Sequence, residues 1–157
     1  MIISGFPGIG KSFACRKLRN KINIKDDDSN NFYNICSDDG SKSTNPLFPS
    51  NYVNEIKKFI ESVELTQDEN SVYLISTDKS VRNMLLEQAI TFTLIYPDKS
   101  LKDEYLLRYI EKGSSDDFIR FMDANFIKLI EEIELDSRLN LLKLKSKEYL
   151  SDYLVYD

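Results

Sequence analysis

The sequence predicts an α/β domain: a central parallel sheet of five strands with helices on both faces. Three observations carry this. Short apolar runs alternate along the chain with longer stretches whose apolar residues recur at spacings of three and four. Four of those runs close on glycine, serine or proline, the punctuation expected where a strand gives way to a loop. And 157 residues, 41% of them hydrophobic, are enough for one sizeable core, so the chain is read as a single domain, 1–157.

The elements follow in order. Met1 to Ser4 is a buried strand closed by Gly5, and Ser12 to Ile22 a helix with Cys15, Leu18 and Ile22 on one face. Asp26 to Asn31 is polar throughout and reads as a solvated loop. Phe32 to Cys36 reads as the second strand of the sheet, ending in Ser37-Asp38-Asp39-Gly40, and residues 40–50 are rich in turn formers. Asn51 to Val63 is amphipathic, with Val53, Ile56, Ile60 and Val63 inward and Ser50 or Asn51 as its cap. Val72 to Ile75 is the third strand and Lys79 to Ala89 the helix after it. Ile90 to Tyr96 is the fourth strand, stopped by Pro97-Asp98. A helix from Leu101 to Lys112 ends at Gly113. Ser115 to Leu135 carries a long apolar stripe from Phe118 to Ile133. Leu139 to Leu144 is the fifth strand and Tyr149 to Leu154 a last short helix. Parallel strands with right-handed crossovers put the loops after the strands on one edge, where ligands bind. The residues to inspect are therefore Gly5–Ser12, Ser37–Gly40, Ser76–Asp78 and Tyr96–Asp98.

Composition excludes several classes. No apolar run reaches the roughly 18 residues of a membrane-spanning helix, and the first residues lack a basic leader, so neither membrane insertion nor export is expected. Two cysteines build no disulfide framework, which points to reduced thiols in the cytoplasm. The absence of histidine removes histidine-based triads, metal sites and general bases together. A net charge of −5 argues against broad electrostatic coating of nucleic acid, so nucleic acid is not the expected partner, though a local basic cleft stays open.

The strongest motif is Gly5-Phe6-Pro7-Gly8-Ile9-Gly10-Lys11-Ser12, a full match to G-x-x-x-x-G-K-[ST] between a predicted strand and a predicted helix. Glycines let the backbone fold tightly enough to aim its N–H groups at phosphate oxygens, and the following helix adds its positive end. Gly5, Gly8, Ile9, Gly10, Lys11, Ser12 and Phe13 are the expected nucleotide-binding residues, with Lys11 on the β- and γ-phosphates and the Ser12 hydroxyl on Mg²⁺.

At these residues the chain resembles the small P-loop kinases of the nucleoside monophosphate kinase group, which includes adenylate, shikimate and gluconate kinases. It is closer still to phage-encoded P-loop kinase-like proteins. Ser37-Asp38-Asp39-Gly40, Asn45-Pro46 through Asn51-Tyr52, Tyr96-Pro97 through Glu104-Tyr105, and Arg108-Tyr109 through Lys112-Gly113 match their pattern. The chain departs from it at Cys36, where that pattern has an acid, and at Lys112, where it has an arginine. The resemblance implies a three-layer α/β/α P-loop NTPase fold with strand order 2-3-1-4-5, an acceptor-binding insert at about 40–63 and a lid at about 98–120. It implies ATP and Mg²⁺ as cofactors and phosphoryl transfer to a small acceptor, most simply a nucleoside or deoxynucleoside monophosphate. The alternatives are a non-catalytic ATP-binding regulator, or a kinase acting on another metabolite or on a nucleic acid 5′ end.

The remaining candidates each have a plainer reading. Asp38 and Asp39 could orient an acceptor hydroxyl or Mg²⁺-bound water, or form a polar turn. Asp78 could hold Mg²⁺ or cap the helix from Lys79. Arg108 and Lys112, four apart, could close over the transferring phosphoryl group, or Arg108 could pair with Glu104 or Glu111. Phe48, Asn51 and Tyr52 could hold a base, or pin their loop to the helix. Arg82 could reach the acceptor.

Overall fold

A computed structural model describes residues 1–154. Its centre is a five-stranded parallel sheet built from β1 (Ile2–Gly5), β2 (Ile24–Asp26), β5 (Val72–Ile75), β6 (Thr93–Pro97) and β7 (Asn140–Leu144), in the order β2-β5-β1-β6-β7. Every residue of β1 and β5 is buried, so both faces of the sheet are covered. The covering helices are α1 (Lys11–Leu18), α3 (Ser50–Thr66), α4 (Lys79–Glu87), α5 (Lys102–Glu111) and α6 (Asp116–Leu135). A short α2 (Asn30–Tyr33) precedes an antiparallel hairpin of β3 (Asn34–Cys36) and β4 (Lys42–Thr44). No helix among the described residues is long and apolar enough to cross a membrane.

The α/β class and the five parallel strands are as expected; the strand order differs in the identity of the second strand. Phe32–Cys36 does not join the main sheet. Its extended part pairs only with β4, and the sheet edge is Ile24–Asp26, a segment read as no element, whose last residue opens the stretch read as a solvated loop. Ile24 pairs with Val72 and Asp26 with Leu74, so the partner strand, rather than local propensity, makes this segment extended. Smaller differences follow the same logic. The first helix stops at Leu18, and the fourth strand begins at Thr93 after a turn in which Ala89 takes a positive φ of 56°. The last helix is one turn of 3-10 helix, Leu150–Asp152. Neither Ser50 nor Asn51 stands before α3, a place taken by Pro49: the Ser50 hydroxyl turns back to the Leu47 carbonyl, and Asn51, in the first turn, accepts from the Tyr52 N–H through Oδ1 and donates to the Phe32 carbonyl through Nδ2.

Aromatic rings fill the core around the sheet. Phe6, at the end of β1, meets Phe126 of α6 edge-on at 5.4 Å, and Phe126 also touches Tyr105 of α5 at 5.7 Å. On the β2 side, Tyr52 of α3 is wholly buried and stacks on Phe32 at 4.3 Å. These contacts fix α5, α6 and α3 against the strands whose ends carry the site.

Candidate functional site

The Gly5–Ser12 segment leaves β1 and enters α1 at Lys11. Gly10 is the residue before the helix, at φ 93°, and Gly8 sits at φ 87°. Inside the loop, the Lys11 ammonium donates to the Gly5 carbonyl at 2.5 Å. Burial pushes its pKa down to about 8, against the opposing pull of Asp26 and Asp28 and with a further push from Lys112. Helix α5 braces the loop from outside. The Tyr109 hydroxyl donates to the Pro7 carbonyl at 2.9 Å, and a Cβ on Gly8 would come within 2.8 Å of the Tyr109 ring.

The loop forms one wall of a cleft of about 1230 Å³. That exceeds the roughly 300–1,000 Å³ of a pocket for one small ligand, so there is room for two. Lys11, Ser12, Phe13 and Arg16 line it from α1, Ser76 to Lys79 and Arg82 from the end of β5 and from α4, and Lys112 from the end of α5. Asp26 at the end of β2 and Asp28 just beyond it line it on another side, and Phe118, Phe121, Met122, Leu129 and Glu132 from α6. In the sheet, β5 separates β1 from β2, which places the acids two strand spacings, about 10 Å, from the loop's strand. Asp27, between them, is turned the other way: the Tyr73 hydroxyl donates to its carboxylate at 2.5 Å and the Tyr52 hydroxyl to its carbonyl at 2.7 Å. Alternation along an extended chain then presents Asp26 and Asp28 on the cleft side.

Comparison with protein-family models finds no match, and neither does comparison with curated proteins.

The predicted residues divide. Gly5, Gly8, Gly10, Lys11, Ser12, Phe13, Asp78, Arg82, Arg108 and Lys112 all line the cleft, while Ile9 is buried under the loop. Asp38 and Asp39 do not line it. With Phe32–Cys36 outside the sheet, they sit on the exposed tip between β3 and β4, where the Ser41 hydroxyl and N–H hold the Asp39 carboxyl below its ordinary range. The polar-turn reading describes that placement. Phe48 packs edge-on against Tyr33 at 5.3 Å. With Asn51 tied to Phe32 and Tyr52 buried and bonded to Asp27, all three pin the segment, and none borders the cleft. Asp78 caps α4, its Oδ1 accepting from the Ser80 and Val81 N–H groups, while still bordering the cleft.

Arg108 is the most constrained of the set. Its Nη1 donates to the Gly8 carbonyl at 3.1 Å, and its Nη2 to Glu104 at 2.5 Å and to the Glu148 carbonyl at 3.2 Å. Its guanidinium is sandwiched between the rings of Tyr105 and Tyr149, at 4.4 and 4.0 Å. The arginine therefore ties the glycine-rich loop, α5 and the C-terminal turn together. Lys112, exposed and bordering the cleft, is the freer cation of that pair.

Sequence reasoning missed Asp26 and Asp28. The available signal was the alternation of Ile22 and Ile24 just before them, at the distance a strand must lie beyond the first helix to pair in parallel.

Proposed function

We propose that the chain is a P-loop phosphotransferase that uses ATP and Mg²⁺ to phosphorylate a small acceptor, with a nucleoside or deoxynucleoside monophosphate as the favoured class. The observation that carries the proposal is the shared cleft. A complete glycine-rich loop with its lysine and serine faces a pair of carboxylates about 10 Å away across the sheet edge.

Lys11 and the loop N–H groups would hold the β- and γ-phosphates, and the Ser12 hydroxyl would ligate Mg²⁺. No group of three or more acidic, cysteine or histidine side chains forms a metal cage among the described residues. That suits Mg²⁺, which keeps several waters and takes its other ligands from the phosphates it accompanies. Asp26 and Asp28, in place of the expected Asp38, would orient the acceptor through Mg²⁺-bound water; the oxygen of a monophosphate acceptor is already ionised and needs no base. Lys112 and Arg16 would neutralise charge spreading over the transferred group, and Arg108 would keep the loop in shape. Catalysis would then rest on positioning and electrostatics, with no covalent intermediate. Arg82 and the apolar residues of α6 would receive the acceptor.

The test is ADP release from MgATP with a panel of ribo- and deoxynucleoside monophosphates. Acceptor-dependent release is expected, abolished by Lys11→Ala, reduced at least about a hundredfold by Asp26→Asn or Asp28→Asn, and unchanged by Asp38→Ala. Absence of release with every acceptor, while MgATP still binds, overturns the proposal.

A further inference from the structure

On the acceptor side of the cleft one carboxylate bridges two cations. Glu132 of α6 accepts from Arg82 Nη2 at 2.7 Å through Oε1 and lies 3.5 Å from Lys79 Nζ through Oε2. All three residues border the cleft. Lys79 and Arg82 stand three apart on α4, so they share a face and reach the same point.

The two sides of this pairing are unequal. Arg82 is fixed: it is 4% exposed, among the core residues Val81 and Leu85, and its Nε is buried with no hydrogen-bond partner. Glu132 is movable: its side chain is 39% exposed and can rotate into water. A buried guanidinium with donors to spare, beside a second cation and a detachable carboxylate, is built to exchange one anion for another. Two positive charges against one negative leave an excess of one, which suits a dianion better than a monoanion. The backbone at the start of α4 is already occupied, since Asp78 accepts from Ser80 and Val81, so the side chains alone would hold the incoming group. The nearby carboxylates, Asp78 and Asp136, oppose a loosely held anion and favour one that engages the guanidinium directly. From Glu132, the α6 face continues through Leu129 to Met122 and Phe121, so an apolar surface begins one turn away.

We propose that Lys79 and Arg82 form the anion subsite for a phosphate monoester acceptor, and that Glu132 occupies it as a built-in stand-in which the acceptor's phosphate displaces. The carboxylate keeps the buried arginine paired until the acceptor arrives, and admits only ligands whose anion outcompetes it. This deepens the proposed phosphotransferase reading by assigning the acceptor a phosphate, and its test does not require turnover.

The test is titration with inorganic phosphate, and with a deoxynucleoside monophosphate, in a Lys11→Ala background that weakens phosphate binding at the glycine-rich loop. Releasing one charge-assisted hydrogen bond predicts that Glu132→Gln tightens binding of both ligands by roughly tenfold or more. Adding Arg82→Gln should abolish the gain, and an unphosphorylated deoxynucleoside should show none. Glu132→Asp, which keeps the charge but withdraws it by one methylene, should give a smaller gain in the same direction and guards against a Glu132→Gln protein that folds poorly. Unchanged affinity in folded Glu132→Gln or Glu132→Asp protein, or a gain that survives Arg82→Gln, overturns the proposal. Phosphate binding that follows this pattern without any ADP release in the acceptor panel would sink the kinase reading and leave the anion subsite standing.

Discussion

Replacing Gly8 with alanine isolates the brace that α5 places against the glycine-rich loop. Two costs add. Gly8 sits at φ 87°, where a residue with a Cβ costs roughly 1–2 kcal/mol. The new methyl would also lie 2.8 Å from Tyr109 Cε1 and 3.0 Å from Tyr105 Cδ1. Neither ring has room to retreat: both are almost wholly buried, Tyr109 is bonded to Pro7 and packed on Phe118, and Tyr105 is held between Arg108 and Phe126. Overpacking of this kind costs about 1–3 kcal/mol. The sum, about 2–5 kcal/mol, corresponds in a domain of this size to a fall in Tm of roughly 5–15 °C. Gly40 supplies the control. It has nearly the same φ, 80°, yet an added Cβ there meets nothing within 4 Å, so Gly40→Ala should show only the backbone part. Denaturant melts of the two variants beside the parent give the contact contribution by difference. If Gly8→Ala is no more destabilising than Gly40→Ala, the brace is soft and the reasoning fails. If the loop holds MgATP as proposed, its affinity should fall in Gly8→Ala and stay unchanged in Gly40→Ala.

Two other outcomes follow from the site. Lys11 titrates at about 8 in the folded chain against an ordinary 10.5, so between those values the unfolded chain binds more protons and stability rises with pH. Relative to Lys11→Met, the parent protein should gain about 1–3 kcal/mol over that window in denaturant melts, and a flat difference would refute the burial of its charge. The comparison cancels the opposing effect of tyrosines 52, 73, 105 and 109, whose burial pushes their hydroxyls upward and which weaken the fold as pH climbs past 10. Asp78→Ala removes the cap of α4 and should cost about 1 kcal/mol in stability. An equal loss in Asp78→Asn would show that the carboxylate's charge, rather than its cap geometry, supports the helix.

What the sequence made legible was local. The glycine-rich loop could be read because each of its constraints lies within eight consecutive residues, and the cap at Asp78 because it needs only the next three. β2 could not, since it is three residues long with one apolar side chain, and parallel pairing with β5, nearly fifty residues away, is what extends it. Phe32–Cys36 does contain an extended segment, but nothing in its alternation says which strand it will pair with. That one misplacement put the expected acids at Asp38 and Asp39, on an exposed tip, and passed over Asp26 and Asp28, which border the cleft. Arg108 was read as a lid cation from the family resemblance, with pairing to Glu104 or Glu111 as the plainer alternative, and the Glu104 pair is present. Beyond Glu104, its partners are the carbonyls of Gly8 and Glu148 and two aromatic faces, and three of those four contacts come from outside its own helix, where helix spacing gives no sign of them.

The shortness and charge of β2 have a further consequence, for association between molecules. An edge strand offers unpaired backbone groups to any neighbouring chain, and proteins blunt that risk with short, charged edges. Here the outermost strand is Ile24-Lys25-Asp26, continued by Asp27 and Asp28, so the carboxylates that face the cleft also make this edge a poor template for another strand. The opposite edge, β7, carries Lys143 in the same capacity. Replacing the β2 acids with apolar residues would therefore do more than empty one wall of the cleft. It would lengthen the sticky margin of the sheet, and self-association would set in before unfolding did.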